Sequence, residues 1–298
     1  MEFAQTMCGI AGLFLKNTAL EPELGRLTAG MLSVLTDRGP DSAGFAIYGA
    51  GATGHLKFTL RAAGGFDFLA LPAKFDLSCI EHDDHAVISF PAEREAEIRA
   101  VLARHPEISI VSVGERMELF KGVGLPDEVS KRFGLEKMSG SHAIGHTRMA
   151  TESAVTTQGA HPFSTGTDQC LVHNGSLSNH NDVRRVLMRE GIKFETQNDT
   201  EVAAGFVAYQ LREGKKLDEA LHAALKSLDG FYTFVVGTES GFGVLRDPVA
   251  CKPAVMAETD DYVAFGSEYR ALADLPGIEH AHIFEPEPAK VYFWERAA

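Results

Sequence analysis

The chain has 298 residues, 45% of them hydrophobic, with 28 Lys+Arg against 41 Asp+Glu and a formal net charge of −13. That length holds one elaborated domain with a substantial core, and the acidic balance argues against a nucleic-acid or anionic-membrane surface, where Lys and Arg must neutralise phosphates. Cys8, Cys79, Cys170 and Cys251 form no CxxC pair, and no apolar run is long enough to span a bilayer, so neither a metal site, a disulfide framework nor a membrane span is expected.

Glu2 is the only charge before Lys16, so the start lacks the basic region of an export signal, and a reduced, cytoplasmic setting is expected. Ile10 to Leu15 reads as a short buried strand, and Pro22 opens a helix with Leu24, Leu27, Met31, Val34 and Leu35 at helical spacing. The turn Arg38-Gly39-Pro40-Asp41-Ser42 leads into a strand over 43–48, broken by the Gly-rich run 49–54. That run lacks the Lys-Ser/Thr of a phosphate loop and is expected to be only a turn.

From 55 to 140 strands at 56–60, 86–90 and 109–113 surround an amphipathic helix over 92–104, and the stretch reads as an inserted α/β subdomain. Within it His82-Asp83-Asp84-His85 has metal-ligand chemistry, but four consecutive residues rarely face one ion and a solvated turn is expected. Short strands follow at 143–146 and 170–173, then helices near 182–189, 201–212 and 218–228. The last third reads as strand and turn, at 231–237, 242–245, 262–266 and 290–294. Strand runs interleaved with paired helices suggest two sheets between helices.

Several polar stretches have ordinary structural readings when taken singly. Arg148 closing an apolar strand could make a surface ion pair, and Asn174-Gly175 could be a hairpin turn. Asp199 or Thr200 could be a helix N-cap. Cys8 could be a small buried hydrophobe opening a strand. It could also be a nucleophile carrying its own base. A thiol of pKa about 8.5 and an α-amine of about 7.7–8.0 both titrate near neutral pH, so a free N-terminal amine can take the thiol proton. Residues 1–7 would bury that amine in a peptide bond, so either translation starts at Met7, which is then trimmed, or a short leader is cut off.

The order Met7-Cys8-Gly9-Ile10, Arg38-Gly39-Pro40-Asp41-Ser42, Gly145-His146-Thr147-Arg148-Met149-Ala150-Thr151, His161-Pro162, His173-Asn174-Gly175 and Asp199-Thr200-Glu201 strongly resembles the class II glutamine amidotransferases of the N-terminal-nucleophile hydrolases. Arg246-Asp247-Pro248 and Gly266-Ser267-Glu268 resemble later landmarks of structural weight. The resemblance covers 7–54 and 140–272 and implies an α+β, four-layer αββα sandwich over 8–298, with 55–140 outside the common core. It also implies hydrolysis of glutamine to glutamate and ammonia.

On this resemblance Cys8 attacks the side-chain amide of glutamine and forms a γ-glutamyl thioester that water resolves, its α-amine shuttling the proton. Asn174 and the Gly175 N–H match the oxyanion hole, Arg148 offers a planar fork to the α-carboxylate, and Asp199 pairs with the α-ammonium. Thr151 and His161 line the same pocket, and Arg38 lies on the glutamine loop. Met149 stands where many members have Trp, and Glu152 where some have His.

No synthase, phosphoribosyl-binding or nucleotide-binding pattern follows Leu272, so a partner is expected to use the ammonia. Gly39-Pro40-Asp41-Ser42-Ala43-Gly44, the run from Gly145 to Ser153 and the long insertion most resemble the free-standing amidotransferase subunit of glutamate-synthase-like systems, N-methylglutamate synthase among them. Such systems carry FMN and iron–sulfur chemistry on other subunits; no cofactor is expected on this chain. A catalytically silent glutamine-binding regulatory subunit is the alternative.

Overall fold

The computed structural model describes residues 7–71, 77–150 and 154–296. Its strands in chain order are β1 (Gly9–Leu15), β2 (Ser42–Tyr48), β3 (His55–Ala62), β4 (Ser78–His82), β5 (His85–Pro91), β6 (Ile108–Gly114), β7 (Met117–Val123) and β8 (His142–Arg148). They continue as β9 (Phe163–Gly166), β10 (Gln169–Leu177), β11 (Gly230–Gly237), β12 (Gly241–Arg246), β13 (Val255–Glu258), β14 (Tyr262–Gly266), β15 (His282–Phe284) and β16 (Val291–Glu295). The helices are α1 (Leu24–Ser33), α2 (Glu95–Leu102), α3 (Pro126–Phe133), α4 (His180–Arg189), α5 (Asp199–Arg212) and α6 (Leu217–Ser227).

A seven-stranded sheet in the order β15-β13-β14-β1-β8-β2-β7 stacks on a five-stranded sheet, β16-β12-β11-β10-β9. β1 is buried along its whole length because both faces are covered. Ile10 and Phe14 point into the layer between the sheets, where they join Ile144, Val172, Val235 and Phe242, while Ala11, Leu13 and Leu15 face α1. Gly12 lets the sheets approach, since a Cβ there would stand 2.8 Å from the Phe242 ring.

Leu24, Leu27 and Met31 of α1 and Val129 and Phe133 of α3 cover the outer face of the first sheet. Leu187, Val202, Val207 and Leu221 of α4 to α6 cover the outer face of the second. The result is a helix–sheet–sheet–helix sandwich, as the strand and helix pattern suggests. Burying each large apolar side chain in these layers stabilises the fold by about 1.5–3 kcal/mol before the entropy of ordering is counted.

A third sheet, β4-β5-β3-β6, packs with α2 around its own core of Phe58, Leu60, Phe90, Ile98 and Leu102. This separate unit ends at Gly114, short of the expected 140. β7 pairs with β2 from Ser42↔Val123 to Tyr48↔Met117, so the chain has by then returned to the main sandwich. The expectation misses β7 because Glu118 and Lys121 interrupt its apolar run; in the fold Glu118 pairs with Lys57 at 2.7 Å and Lys121 is capped by carbonyls. The His82–His85 stretch is the tight turn of the β4–β5 hairpin, with Asp83 at φ 54°. Among the described residues no group of three or more His, Cys, Asp or Glu is arranged to hold a metal ion, and no helix is long and apolar enough to cross a membrane.

Candidate active site

Cys8 stands one residue ahead of β1, where the two main sheets leave a cleft of about 450 Å³. Two side chains fix its backbone: Arg38 Nε and Asn174 Nδ2 donate to the Cys8 carbonyl at 3.2 and 3.1 Å. Arg38 is held in turn by Glu268 at 2.6 Å, and Ser267 and Ile10 exchange hydrogen bonds of 2.9 and 3.0 Å. The Gly266-Ser267-Glu268 landmark thus braces the nucleophile strand from β14. The thiol itself donates to the Met149 carbonyl at 3.8 Å.

Cys8, Arg148, Met149, His161, Asn174, Gly175 and Asp199 line one cleft, so six of the eight residues expected for the site meet there. Arg38 acts from behind it through the Cys8 carbonyl. Thr151 lies outside the described residues.

Arg148 ends β8 and is 6% exposed, buried in the cleft that Cys8 also lines. Asn174-Gly175 lies within β10, paired to Thr233 and Tyr232, and is no hairpin turn. Gly175 has φ 144°, and a Cβ there would meet the Phe231 carbonyl oxygen at 2.0 Å, so only glycine fits. The N-cap of α5 is Asn198, whose side chain accepts from Thr200 N at 2.8 Å. Asp199 is thereby released from capping. One of its oxygens accepts from Leu177 N at 2.9 Å, and the residue still lines the cleft.

The loop that delivers Asp199 is tied down by buried charge. Glu201 accepts from the backbone N–H groups of Glu195 and Thr196 at 2.7 and 2.8 Å, and Arg184 donates to the carbonyls of Thr196 and Asn198 at 2.6 and 3.1 Å. The loop carrying His161 is secured from β7, where Lys121 Nζ donates to the carbonyls of Gln158, Ala160 and Pro162 at 3.2, 2.9 and 3.4 Å. Burial pushes that lysine down to about 8.

Behind the cleft His146, His161 and His173 form a buried block. His146 stacks on His161 with centroids 4.0 Å apart, and Thr200 Oγ1 lies 3.3 Å from His161 Nε2 and 3.1 Å from His173 Nδ1. Burial lowers all three, His146 to about 3, so they are neutral near pH 7. His161 and His173 both line the cleft, and each has one ring nitrogen engaged with Thr200 Oγ1. Burial also pushes the Cys8 thiol up, against the lowering pull of the Arg148 and Lys252 charges.

Lys252, Phe231 and Asn198 line the cleft without having been expected there. Lys252 follows Arg246-Asp247-Pro248 by four residues, and nothing local in the sequence marks it for the cleft.

A family model described as a glutamine amidotransferase domain matches residues 146–274. The glutamine amidotransferase-like protein GlxB of Rhizobium meliloti is 61% identical over 304 residues, covering 97% of this chain and 98% of that protein. The glutamine–fructose-6-phosphate aminotransferase of Mesorhizobium japonicum is 36% identical over 146 residues, which are 49% of this chain and 24% of that protein. The structure of B. subtilis glutamine phosphoribosylpyrophosphate amidotransferase superposes with a TM-score of 0.62 at 22% identity, over 97% of this chain and 47% of that one, a likeness of fold. With a relative matched end to end at this identity, the chain belongs to the class II glutamine amidotransferase family.

Proposed function

We propose that the chain hydrolyses glutamine to glutamate and ammonia through a γ-glutamyl thioester on Cys8. The observation that carries this is the meeting of Cys8, Arg148, Asn174-Gly175 and Asp199 in one cleft from four separate parts of the chain. Once residues 1–7 are removed, the α-amine of Cys8 takes the thiol proton as sulfur attacks the amide carbon. The resulting oxyanion is met by the Asn174 side chain and the Gly175 N–H. Collapse expels ammonia, which receives the proton from the α-ammonium, and water then cleaves the thioester to glutamate and free thiol. Arg148 and Asp199 hold the α-carboxylate and α-ammonium, so asparagine, one methylene shorter, falls short of the sulfur.

The ammonia goes to a separate synthase of the glutamate-synthase type, whose FMN and iron–sulfur centres sit on other subunits. Supporting this are the Gly39–Gly44 and Gly145–Ser153 runs and the added four-stranded sheet. The four cysteines are free thiols, which suits the reduced cytoplasm where such a partner works.

Glutamate release from glutamine by the processed chain, with hydroxylamine added to trap the acyl enzyme as γ-glutamyl hydroxamate, tests the reading. Cys8→Ala should abolish both products while leaving glutamine binding within a few-fold. A Cys8→Ala protein that turns over glutamine like the parent contradicts it, and a parent that binds glutamine yet forms no hydroxamate favours the silent regulatory subunit.

A further inference from the structure

Lys252 is delivered to the cleft by a loop built for that purpose. β12 ends at Arg246, which is 5% exposed and donates to the carbonyls of Pro286 and Lys252, each at 2.8 Å. Asp247 is fully buried; one carboxylate oxygen accepts from Tyr232 N at 2.9 Å, and the other from Val249 N and Ala250 N at 2.7 and 3.1 Å. Ala250 takes φ 51°, the left-handed conformation that turns the chain back to the cleft. Two buried charges and a strained residue are a large outlay for a surface loop. What the loop presents is one ammonium, over the Phe231 ring at 5.2 Å and 3.8 Å from Met7 Sδ, beside the peptide whose removal exposes the Cys8 amine.

We propose that Lys252 is a positioning residue for the nucleophile, its ammonium stabilising the thiolate of Cys8 and keeping the resting α-amine neutral and ready to accept a proton. The inference rests on the glutaminase reading above. A cation stabilises a nearby thiolate and destabilises a nearby ammonium, so one charge prepares both halves of the nucleophile–base pair.

The other charged and titratable groups around Cys8 cannot take this role over. Arg38 is neutralised by Glu268 behind the Cys8 carbonyl. His161 and His173 are buried and uncharged. Arg148 and Asp199 are the groups that meet the two charged ends of glutamine, so bound substrate cancels them. Among the described residues Lys252 is the cation of the cleft lining that stays uncancelled when the substrate is in place, and its charge already opposes the upward push that burial exerts on the thiol.

The test is the pH dependence of iodoacetamide alkylation at Cys8 in the chain beginning at Cys8, with adducts mapped by peptide and Cys79 as internal reference. It is run on the parent, Lys252→Met and Lys252→Arg, with Lys252→Gln standing in should the methionine variant fail to fold. Loss of the charge should move the alkylation midpoint to higher pH by roughly half a unit to one unit, as one unit charge at this range produces. The acidic limb of kcat/KM should move with it, KM at the plateau should stay within about twofold, and Lys252→Arg should restore both. An unmoved midpoint in Lys252→Met overturns the inference, as does an equal shift in Lys252→Arg, which would mark a packing role on Phe231. A KM raised at every pH with unmoved limbs overturns it too, by making Lys252 a substrate ligand. If Lys252→Met shows the alkylation shift but the parent hydrolyses no glutamine, the glutaminase reading fails while the electrostatic role of Lys252 stands.

Discussion

Asn174 and Asp199 come from different elements and, in the proposed mechanism, meet different parts of glutamine, so their removal should separate in the kinetics. Asn174 sits on β10 with its amide within 3.1 Å of the Cys8 carbonyl, close enough to turn to an oxyanion that exists only in the transition state. Asn174→Ala should therefore lower kcat by about 10²–10³-fold with little change in KM. In the proposed mechanism Asp199 holds the α-ammonium in ground state and transition state alike, so Asp199→Ala should raise KM at least tenfold while kcat falls less. Steady-state glutamate release checks both, and a kcat defect in Asp199→Ala with unchanged KM would remove the α-ammonium assignment. The same logic explains why Arg148 is arginine. A buried guanidinium can take a carboxylate with two parallel hydrogen bonds, which the point charge of lysine cannot.

At the scale of elements, the residues that titrate unusually are the histidines packed behind and between the sheets. His142 sits between Ser141 Oγ and the Thr238 carbonyl, each 2.9 Å away, and burial lowers it to about 3, as it does His146. Both are neutral in the folded chain and gain a proton on unfolding below their ordinary pKa of about 6.5. The unfolded state then binds more protons, so stability is full above pH 6.5 and falls with pH below it, by about 1.4 kcal/mol per unit for each histidine. By pH 5 the pair should have lost about 4 kcal/mol, a large part of the stability of an ordinary domain. Urea unfolding at pH 7.5, 6.5 and 5.5 measures this; equal stability at all three would contradict the buried neutral block.

Legibility in the sequence divides along the same physical line. β1, β2, β8, β10 and α5 were readable because continuous apolar runs and helical spacing report burial on two faces or one. The site was readable as ordered motifs on those elements, Cys8 ahead of β1, Arg148 at the end of β8 and Asn174-Gly175 in β10. β7 was not, because Lys121 looks like surface until its three carbonyl partners from 158–162 are in place. Nor was Lys252, whose place depends on where buried Arg246 and Asp247 send the loop, a tertiary fact with no local periodicity. The limit of the insertion was misplaced for the same reason: whether a strand belongs to one sheet or another is decided by pairing, as between β7 and β2.

For the whole molecule, the sandwich holds Cys8 at one end of two stacked sheets, and the added four-stranded sheet packs against it through Thr59 Oγ1, which accepts from Leu119 N at 3.2 Å, the Lys57–Glu118 pair and a parallel bridge, Val113↔Thr167, beside β9. The central claim is that this assembly is an N-terminal-nucleophile glutaminase, and the decisive measurement is intact mass before and after treatment with a diazoketone analogue of glutamine, with the adduct mapped by peptide. The account predicts a chain that begins at Cys8 and gains one label, on Cys8. A chain that begins at Cys8, binds glutamine and yet takes no label there would contradict it.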